Sequence, residues 1–276
     1  MSRSMIQAAV TMNQLQQKLD VIGNNLANSQ TTGYKSRQAE FSSLLTQEIN
    51  NMTRPVEAEE RLTPDGIRVG SGARLGSIMN DFSVGSISET GRALDVALQE
   101  KNHFFKIQVA ENGTTETMYT RDGAFYLQPL ENSDNVMLVT KVGYPVLGEA
   151  GPIIIEDGFE YIDIRENGEI LIRRDNQTET AGVLSIVEAE YPQILEASGE
   201  NIFRLPNLAE LGYTLDEVMD DVNAHYGLLK IGALERSNVD ISKEMTDLLM
   251  AQRSYQMNAR TITMGDQMMG LINQLR

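Results

Sequence analysis

The N-terminal residues carry an apolar repeat that alternates steps of three and four residues. It runs without a break through Met5, Ala8, Met12, Leu15, Leu19, Ile22 and Leu26. This spacing places all seven side chains on one stripe of an α-helix, as in a coiled coil. We therefore expect a long N-terminal helix that buries this stripe against another helix.

A second stripe with the same spacing lies near the other end of the sequence. Seven of nine positions in its register are apolar, and the other two are Gln252 and Asp266; the apolar ones are Ile241, Met245, Leu248, Tyr255, Ala259, Ile262 and Met269. One such stripe is more often the buried face of a single bundle than a contact between molecules. Two stripes at opposite ends favour a terminal helical domain that assembles with copies of itself.

Between the two ends the hydrophobic pattern changes to period two. Residues 91–239 read as short alternating segments separated by Asn-Gly, Asp-Gly and Gly-Tyr turns, which predicts an antiparallel β domain. Two prolines and five glycines between residues 51 and 90 predict an extended linker or hairpin region, with bounds at 36–90. The predicted fold is α+β: residues 1–35 and 240–276 form a coiled-coil domain, and the β-rich domain is inserted between them.

The net charge of −16 is spread unevenly along the chain. Residues 1–50 have a net charge of +1 and residues 235–276 a net charge of 0, which leaves −17 for residues 51–234. An acidic exterior disfavours nucleic acid and anionic membranes as partners. No apolar run is long enough for membrane insertion, and the absence of cysteine excludes disulfides and thiolate metal sites. The neutral ends suit packing against further copies.

Motifs that could carry chemistry are incomplete. The glycines of VGSGARLG resemble a phosphate loop, but Leu75 stands where the third glycine belongs. A calcium-like loop beginning at Asp163 has Arg165 and Arg174 at ligand positions, so a hairpin turn at Asn167-Gly168 explains it better. Many carboxylates are present, but nothing marks a catalytic pair. We expect no enzyme activity, no cofactor and no bound metal.

The segment Tyr119-Thr-Arg-Asp-Gly123 also reads as local structure. It predicts a strand that enters a turn, with Arg121 and Asp122 paired to each other.

The sequence NNLANSQTTGYK resembles the signature of the flagellar rod and hook proteins, which is close to A-N-N-L-A-N-x-x-T-x-G-Y/F-K. Gly23 replaces the first alanine, and nine positions match: Asn24, Asn25, Leu26, Ala27, Asn28, Thr32, Gly33, Tyr34 and Lys35. The segment LERSNVDISKEMTDLLMAQRSYQMNARTI is similar to the family's C-terminal end, and its matching positions are Glu235, Ser237, Asn238, Val239, Arg253, Tyr255 and Asn258.

The resemblance continues between the ends and is strongest to the distal-rod branch of the family. One departure occurs before Phe104, where this chain has Gln-Glu-Lys-Asn-His at 99–103 in place of a glycine-rich turn. A differently turned hairpin is expected there.

The resemblance implies a structural subunit of the bacterial basal-body rod, exported by the flagellar type III apparatus. Its partners would be copies of itself and neighbouring rod and hook proteins, with the terminal helices inside a tube and the β domain outside. The implied assembly residues are the signature positions together with Met12, Leu15, Leu19, Ile22, Met245, Leu248 and Ile262. A hook or proximal-rod subunit, a wall-remodelling hydrolase and a coiled-coil adhesin stay open as alternatives.

Three asparagines crowd the predicted end of the first helix: Asn24, Asn25 and Asn28. Because an amide side chain both donates and accepts hydrogen bonds, we expect them to satisfy helix ends and to fix the register between subunits. Capping within one molecule is the alternative. The helices are weak by themselves, so we also expect the ends to be largely unfolded in the monomer.

Overall fold

The computed structural model of the chain describes residues 3–43, 46–49, 67–70, 73–111, 113–130, 135–174, 177–199, 201–208, 212–222 and 228–274. Parts of the predicted linker, at 44–45, 50–66 and 71–72, lie outside the described residues. Two units make up the chain. The first combines Met1–Leu26, Arg37–Met79 and Ile241–Arg276, and the second combines Ala27–Ser36 with Asn80–Asp240. The end of the N-terminal signature therefore falls in the second unit, whereas the sequence placed it in the helical domain.

The first unit contains two long helices and two small pairs of strands. Helix α1 (Arg3–Ala27) and helix α3 (Ile241–Gln274) come from the two ends, and the strands are β1 (Arg37–Ser43), β2 (Thr46–Ile49), β3 (Ile67–Gly70) and β4 (Ala73–Asn80). Strand β1 pairs with β4, and β2 pairs with β3. Every position of the predicted α1 stripe is buried or half-buried, so the stripe is the inner face of that helix.

The two helices of this unit are antiparallel. Near one end Met5 lies against Gly265, and near the other the Asn25 Nδ2 donates to Glu244 Oε1 at 3.0 Å. At 1.5 Å per residue, the paired stretch is about 30 Å long.

The inner face of α3 has a different register from the predicted one. Its less exposed positions include an unbroken four-three series: Glu244, Leu248, Ala251, Tyr255, Asn258, Ile262, Gly265 and Met269. Met245, which the predicted stripe included, is 48% exposed, and Ile241 is 46% exposed. The prediction is confirmed at its half-buried positions Leu248, Tyr255, Ala259, Ile262 and Met269 and is wrong at Ile241 and Met245. It missed the small residues Ala251 and Gly265, which are the buried residues of this helix.

The second unit is built from short antiparallel strands, as predicted, and it also contains a short helix, α2 (Leu215–Val218). Its strands are β5 (Ile87–Glu89), β6 (Val96–Leu98), β7 (His103–Glu111), β8 (Thr114–Thr120), β9 (Phe125–Pro129), β10 (Asn135–Thr140), β11 (Leu147–Gly148), β12 (Gly151–Pro152), β13 (Ile154–Glu156), β14 (Tyr161–Ile164), β15 (Glu169–Arg174), β16 (Gln177–Val183), β17 (Ile186–Ala189), β18 (Glu196–Ala197), β19 (Ile202–Arg204), β20 (Met219–Val222), β21 (Leu229–Ile231) and β22 (Ala233–Glu235). The largest sheet has the order β18-β19-β8-β7-β17-β20.

Strand β15 alternates between buried and more exposed residues as the period-two pattern requires, and the inward residues of the strands form the core. One cluster centres on Phe105 and Phe125, whose rings meet edge to face at 5.2 Å. A second places Phe82, Phe104 and Phe203 in mutual edge-to-face contact. This core fixes β7 and β8, and through them Arg121 directly after β8.

Two predicted turns can be compared with the structure. The Asn167-Gly168 hairpin between β14 and β15 is confirmed, with Gly168 at φ 81°. Before β7, Asn102 adopts φ 60°, a left-handed conformation that asparagine tolerates better than most residues. Among the described residues, neither long helix contains a segment suited to crossing a membrane.

Candidate functional site where the two signatures meet

The N-terminal and C-terminal signatures lie against each other within the second unit. The Gly33 amide donates to the Glu235 carbonyl at 2.9 Å, and the Ser36 amide donates to Asn238 Oδ1 at 2.8 Å. Asn238 Nδ2 in turn donates to the Asp81 carbonyl at 2.8 Å. The bond between Ser36 and Asn238 spans 202 positions of the chain, and the bond between Asn238 and Asp81 spans 157.

Glu235 is the centre of a buried ion cluster. One carboxylate oxygen accepts from Lys35 Nζ at 2.6 Å and from the Gly85 amide at 2.7 Å. The other accepts from Arg121 Nε at 2.9 Å. None of the three charged side chains is more than 1% exposed, so the cluster is closed to solvent.

The two cations also donate to backbone carbonyls. Lys35 Nζ donates to the Ser83 carbonyl at 2.7 Å. Arg121 donates from Nη1 and Nη2 to the carbonyls of His103 and Glu100, each at 3.0 Å. The predicted local pair of Arg121 with Asp122 is therefore wrong: Arg121 pairs with a residue 114 positions away, because the turn after β8 directs it into the core.

The cluster keeps its charges at neutral pH. Burial alone would raise the pKa of Glu235, but Arg121 and then Lys35 hold that pKa below its ordinary value. Burial and the nearby charge of Arg121 lower the pKa of Lys35 to about 8, against the opposing effect of Glu235. Two cations thus share one carboxylate whose oxygens already have partners. This arrangement ties chain segments together and leaves no accessible group for chemistry.

Two glycines allow the segments to approach this closely. Gly33 has φ 67°, and a Cβ there would lie 2.7 Å from the Asp122 amide nitrogen. A Cβ at Gly85 would lie 1.9 Å from the Arg236 carbonyl oxygen. Tyr34, between Gly33 and Lys35, is 2% exposed. The Thr-Gly-Tyr-Lys sequence therefore serves as a buried connection in this unit.

The three signature asparagines have different environments. Asn25 is buried in the first unit, where its Nδ2 donates to the Arg37 carbonyl at 2.8 Å and its Oδ1 accepts from the Arg37 amide at 2.9 Å. Its side chain thereby imitates a paired strand at the start of β1. The Asn28 Oδ1 accepts from Thr31 Oγ1 at 3.2 Å, and Asn24 is exposed. Asn25 and Asn28 make these bonds within one chain, and the bonds of Asn25 go to β1 and α3 rather than to a helix end.

The other predicted site residues lie in both units. Thr32 donates to Asp122 Oδ1 at 2.9 Å, and Ser237 accepts from the Val239 amide at 3.3 Å. On α1 and α3, Met12, Leu15, Leu19, Leu248, Tyr255, Asn258 and Ile262 are half-buried, whereas Met245 and Arg253 are exposed. Sequence reasoning missed Arg121, Ser83 and Gly85 as members of the site. No pattern in the sequence marked these three residues as parts of one site.

No group of three or more histidine and acidic side chains among the described residues is arranged to hold a metal ion.

Comparison with known proteins places both signatures in one family. The family model for flagella basal body rod proteins matches residues 7–35. The model for the D1 domain of the flagellar hook protein FlgE/F/G matches residues 100–172. The model for the C-terminal part of the flagellar basal body rod FlgEFG proteins matches residues 230–275.

Individual relatives match over nearly their whole length. The flagellar hook-basal body complex protein FlhP of Bacillus subtilis is 42% identical over 281 residues, which cover all of both chains. The flagellar basal-body rod protein FlgG of Agrobacterium fabrum is 35% identical and covers 99% of this chain and 98% of its own. The FlgG of Bacillus subtilis is 32% identical, covering 98% and 97%.

Proposed function

We propose how this chain, which belongs to the family of flagellar basal-body rod and hook proteins, builds its part of the flagellum. It is a structural subunit of the basal-body rod and is located in the flagellar basal body. The family is structural, and its members associate with copies of themselves and with neighbouring rod and hook proteins. The proposal concerns the surfaces through which the assembled subunits contact one another.

The surface that carries the proposal is an exposed apolar stripe on α3. Met250, Met257, Met264 and Leu271 follow one another at seven-residue spacing, and Met268 extends the stripe. Each of these side chains is more than half exposed in the single chain. A continuous apolar stripe of this kind marks an interaction surface, and its heptad spacing fits another helix.

We infer that the α1–α3 pair is the inner, coiled-coil part of a tube and that the stripe packs against helices of neighbouring copies. One copy presents its stripe to a different surface of the next, and such heterologous contacts generate an open helical filament. Methionine-rich surfaces adapt to slightly different neighbours, which suits subunits in a curved wall. The acidic second unit would lie outside and keep the tube soluble.

Two further parts of the proposal concern delivery and position. We infer that the chain is delivered through the flagellar export apparatus, as the family resemblance implies, and terminal helices that fold fully only on assembly would suit a narrow channel. For position, the two relatives from Bacillus subtilis differ, at 42% and 32% identity. We infer an FlhP-like place in the rod, with the hook and the proximal rod as alternatives. Complementation of Bacillus subtilis strains that lack one or the other relative tests this inference.

Deletion of the gene in its host, followed by electron microscopy of isolated basal bodies, tests the function itself. We expect truncated rods, missing hooks and loss of swimming. Complete rods with normal hooks would contradict the proposal. In the same strains, muropeptide release from purified cell walls should be unchanged, whereas a decrease would favour the hydrolase alternative.

A single substitution tests the stripe. Met257→Lys puts a charge on its centre and should abolish rod assembly, while the second unit still unfolds at the wild-type urea concentration. Gln252→Lys is the matched control, because Gln252 is also exposed on α3 but points away from the stripe. Assembly by the Met257→Lys protein, or failure of both proteins, would show that the stripe has no special role.

A further inference from the structure

The turn between β13 and β14 contains an Asp-Gly pair in which a carboxyl group lies beside the next amide nitrogen. Asp157 and Gly158 are both exposed, and the Gly158 amide donates to Asp157 Oδ1 at 2.8 Å. Gly158 has φ 87°, and a Cβ there would meet nothing within 4 Å. Because glycine turns freely in such open space, its nitrogen can rotate towards the Asp157 carboxyl carbon.

Arg174 holds the main chain on the other side of this pair. Its Nη2 donates to the carbonyls of Glu156 and Asp157, at 3.0 and 3.1 Å. Its Nη1 donates to Glu156 Oε2 at 3.1 Å. The end of β13 is therefore anchored as far as the Asp157 carbonyl, and the freedom to move lies with Gly158.

A second Asp-Gly pair in the same unit has the opposite arrangement. Asp122 Oδ1 accepts from Thr32 Oγ1 at 2.9 Å and from the Ala124 amide at 3.2 Å, so it bonds the second amide after it rather than the next one. Gly123 is buried, and a Cβ there would lie 1.7 Å from the Val96 carbonyl oxygen. Both the carboxyl group and the following glycine are thus confined by their neighbours.

The Asn-Gly pair in the hairpin between β14 and β15 is confined in a similar way. Asn167 Oδ1 accepts from the Glu169 amide at 3.2 Å, and the Gly168 amide donates to the Arg165 carbonyl at 2.9 Å. Of these three pairs, the one at Asp157 places its side chain against the next amide nitrogen.

We propose that Asp157 is a modification site, at which the folded chain converts this aspartate into isoaspartate without an enzyme. The Gly158 nitrogen attacks Cγ of the protonated carboxyl group, a C–N bond forms, and the amide hydrogen leaves with the carboxyl OH as one water molecule. The product is a five-membered cyclic imide. Water then opens this ring, and where it adds to the former main-chain carbonyl carbon, the chain continues through Cγ as isoaspartate with unchanged mass.

The modification would change the chain directly before β14. Isoaspartate adds one methylene group to the main chain, and the Glu160 amide donates to the Arg173 carbonyl at 2.8 Å where the pairing of β14 with β15 begins. A longer main chain at this point should strain that pairing and lower the stability of the second unit.

Prolonged incubation of the purified full chain at mildly acidic pH tests the proposal, because the protonated carboxyl group is the reactive form. Tryptic peptides 122–141 and 142–165 separate Asp122 from Asp157, and chromatography with electron-transfer fragmentation distinguishes isoaspartate from aspartate. We expect about tenfold more isoaspartate at Asp157 than at Asp122, because Asp122 reacts only after local opening.

The same incubation in urea separates the effect of the fold from that of the sequence. Once the chain is unfolded, both Asp-Gly pairs are flexible, and the two yields should become similar. Equal yields in the folded chain would overturn the proposal. So would a folded chain in which Asp157 is protected, relative to urea, as strongly as Asp122.

Asp157→Glu is the matched variant for the effect on stability. It keeps the negative charge, but attack would have to close a six-membered ring, which forms much more slowly. After incubation, the urea midpoint of the wild type should fall, whereas that of Asp157→Glu should not. An equal fall in both proteins, with isoaspartate only in the wild type, would contradict the strain on β14.

Discussion

At the scale of single residues, Glu235 is the signature position whose side chain holds distant segments of the second unit together. Its carboxylate accepts from both buried cations and from the Gly85 amide. A buried pair contributes little compared with an apolar replacement, but removal of one partner leaves an uncompensated charge in the core. The effect of this site on the free energy of unfolding is therefore seen when one charged partner is removed.

Replacement of this carboxylate is the first test. Glu235→Gln keeps the shape but leaves Lys35 and Arg121 without a counter-ion, so we expect the free energy of unfolding to fall by about 3–5 kcal/mol. The chain has no tryptophan, but Tyr34 and Tyr119 are buried in this unit, so near-ultraviolet circular dichroism in urea can follow its unfolding. Glu196→Gln, at an exposed ion pair, should change the free energy of unfolding by about 1 kcal/mol or less. Equal effects would contradict the buried-charge argument.

The same carboxylate predicts the direction of the pH dependence. The pKa of Glu235 in the folded chain lies below its ordinary 4.5, so its stabilisation is present above that pH and is lost as the pH falls through the lowered value. Asp122 has a raised pKa and acts in the opposite sense. Between about pH 5 and pH 3, the wild type should lose more unfolding free energy than Glu235→Gln. Parallel losses in the two proteins would assign the acid sensitivity to other groups.

Gly33 provides a residue-scale test of the close approach between the signatures. Gly91 also has a positive φ, 72°, but a Cβ there would have nothing within 4 Å. Gly91→Ala should therefore show only the backbone strain, about 1–2 kcal/mol. Gly33→Ala adds a clash with the backbone at Arg121 and Asp122, so its urea midpoint should fall clearly further. A similar midpoint for both would mean that the connection is loose.

At the scale of elements, a feature could be predicted when the residues that form it lie close together in the sequence. The unbroken α1 stripe and the period-two strands are local patterns, and the structure confirms both. The inner face of α3 was predicted only in part, because its buried residues Ala251 and Gly265 have small side chains and give no apolar signal. The contact of Arg121 with Glu235 forms only when the second unit is folded, so no local sequence pattern predicts it.

In the observed register of α3, two of its glycines have different surroundings. A Cβ at Gly265 would lie 2.9 Å from Met5 Cγ, whereas a Cβ at Gly270 would meet nothing within 4 Å. Gly270→Ala should stabilise the helix by about 0.5–1 kcal/mol. Gly265→Ala gains the same propensity but displaces Met5, so its net effect should be smaller or reversed. Thermal melts of helical circular dichroism measure both, and equal gains would contradict the antiparallel pairing at this point.

At the scale of the whole molecule, the division into units changes which residues of the monomer should resist proteolysis. From the sequence alone, a protease would be expected to trim the N-terminal end as far as about residue 35, with the rest of the helical domain. The structure assigns Ala27–Ser36 to the second unit, where Gly33, Lys35 and Ser36 are bonded to Glu235 and Asn238. A segment held by buried bonds resists local opening.

Limited proteolysis of the purified monomer should therefore remove α1 and α3 but stop near residue 27. If the protease also cuts within Arg37–Met79, the peptide from 27 to 36 should stay bound and elute with the remaining fragment. The same digest of Glu235→Gln, at a temperature where its second unit is still folded, should release that peptide, because the anchor of Lys35 is weakened. Trimming of the wild type beyond residue 35 would contradict the assignment, and intact α1 and α3 would contradict the proposal that these helices fold fully only on assembly.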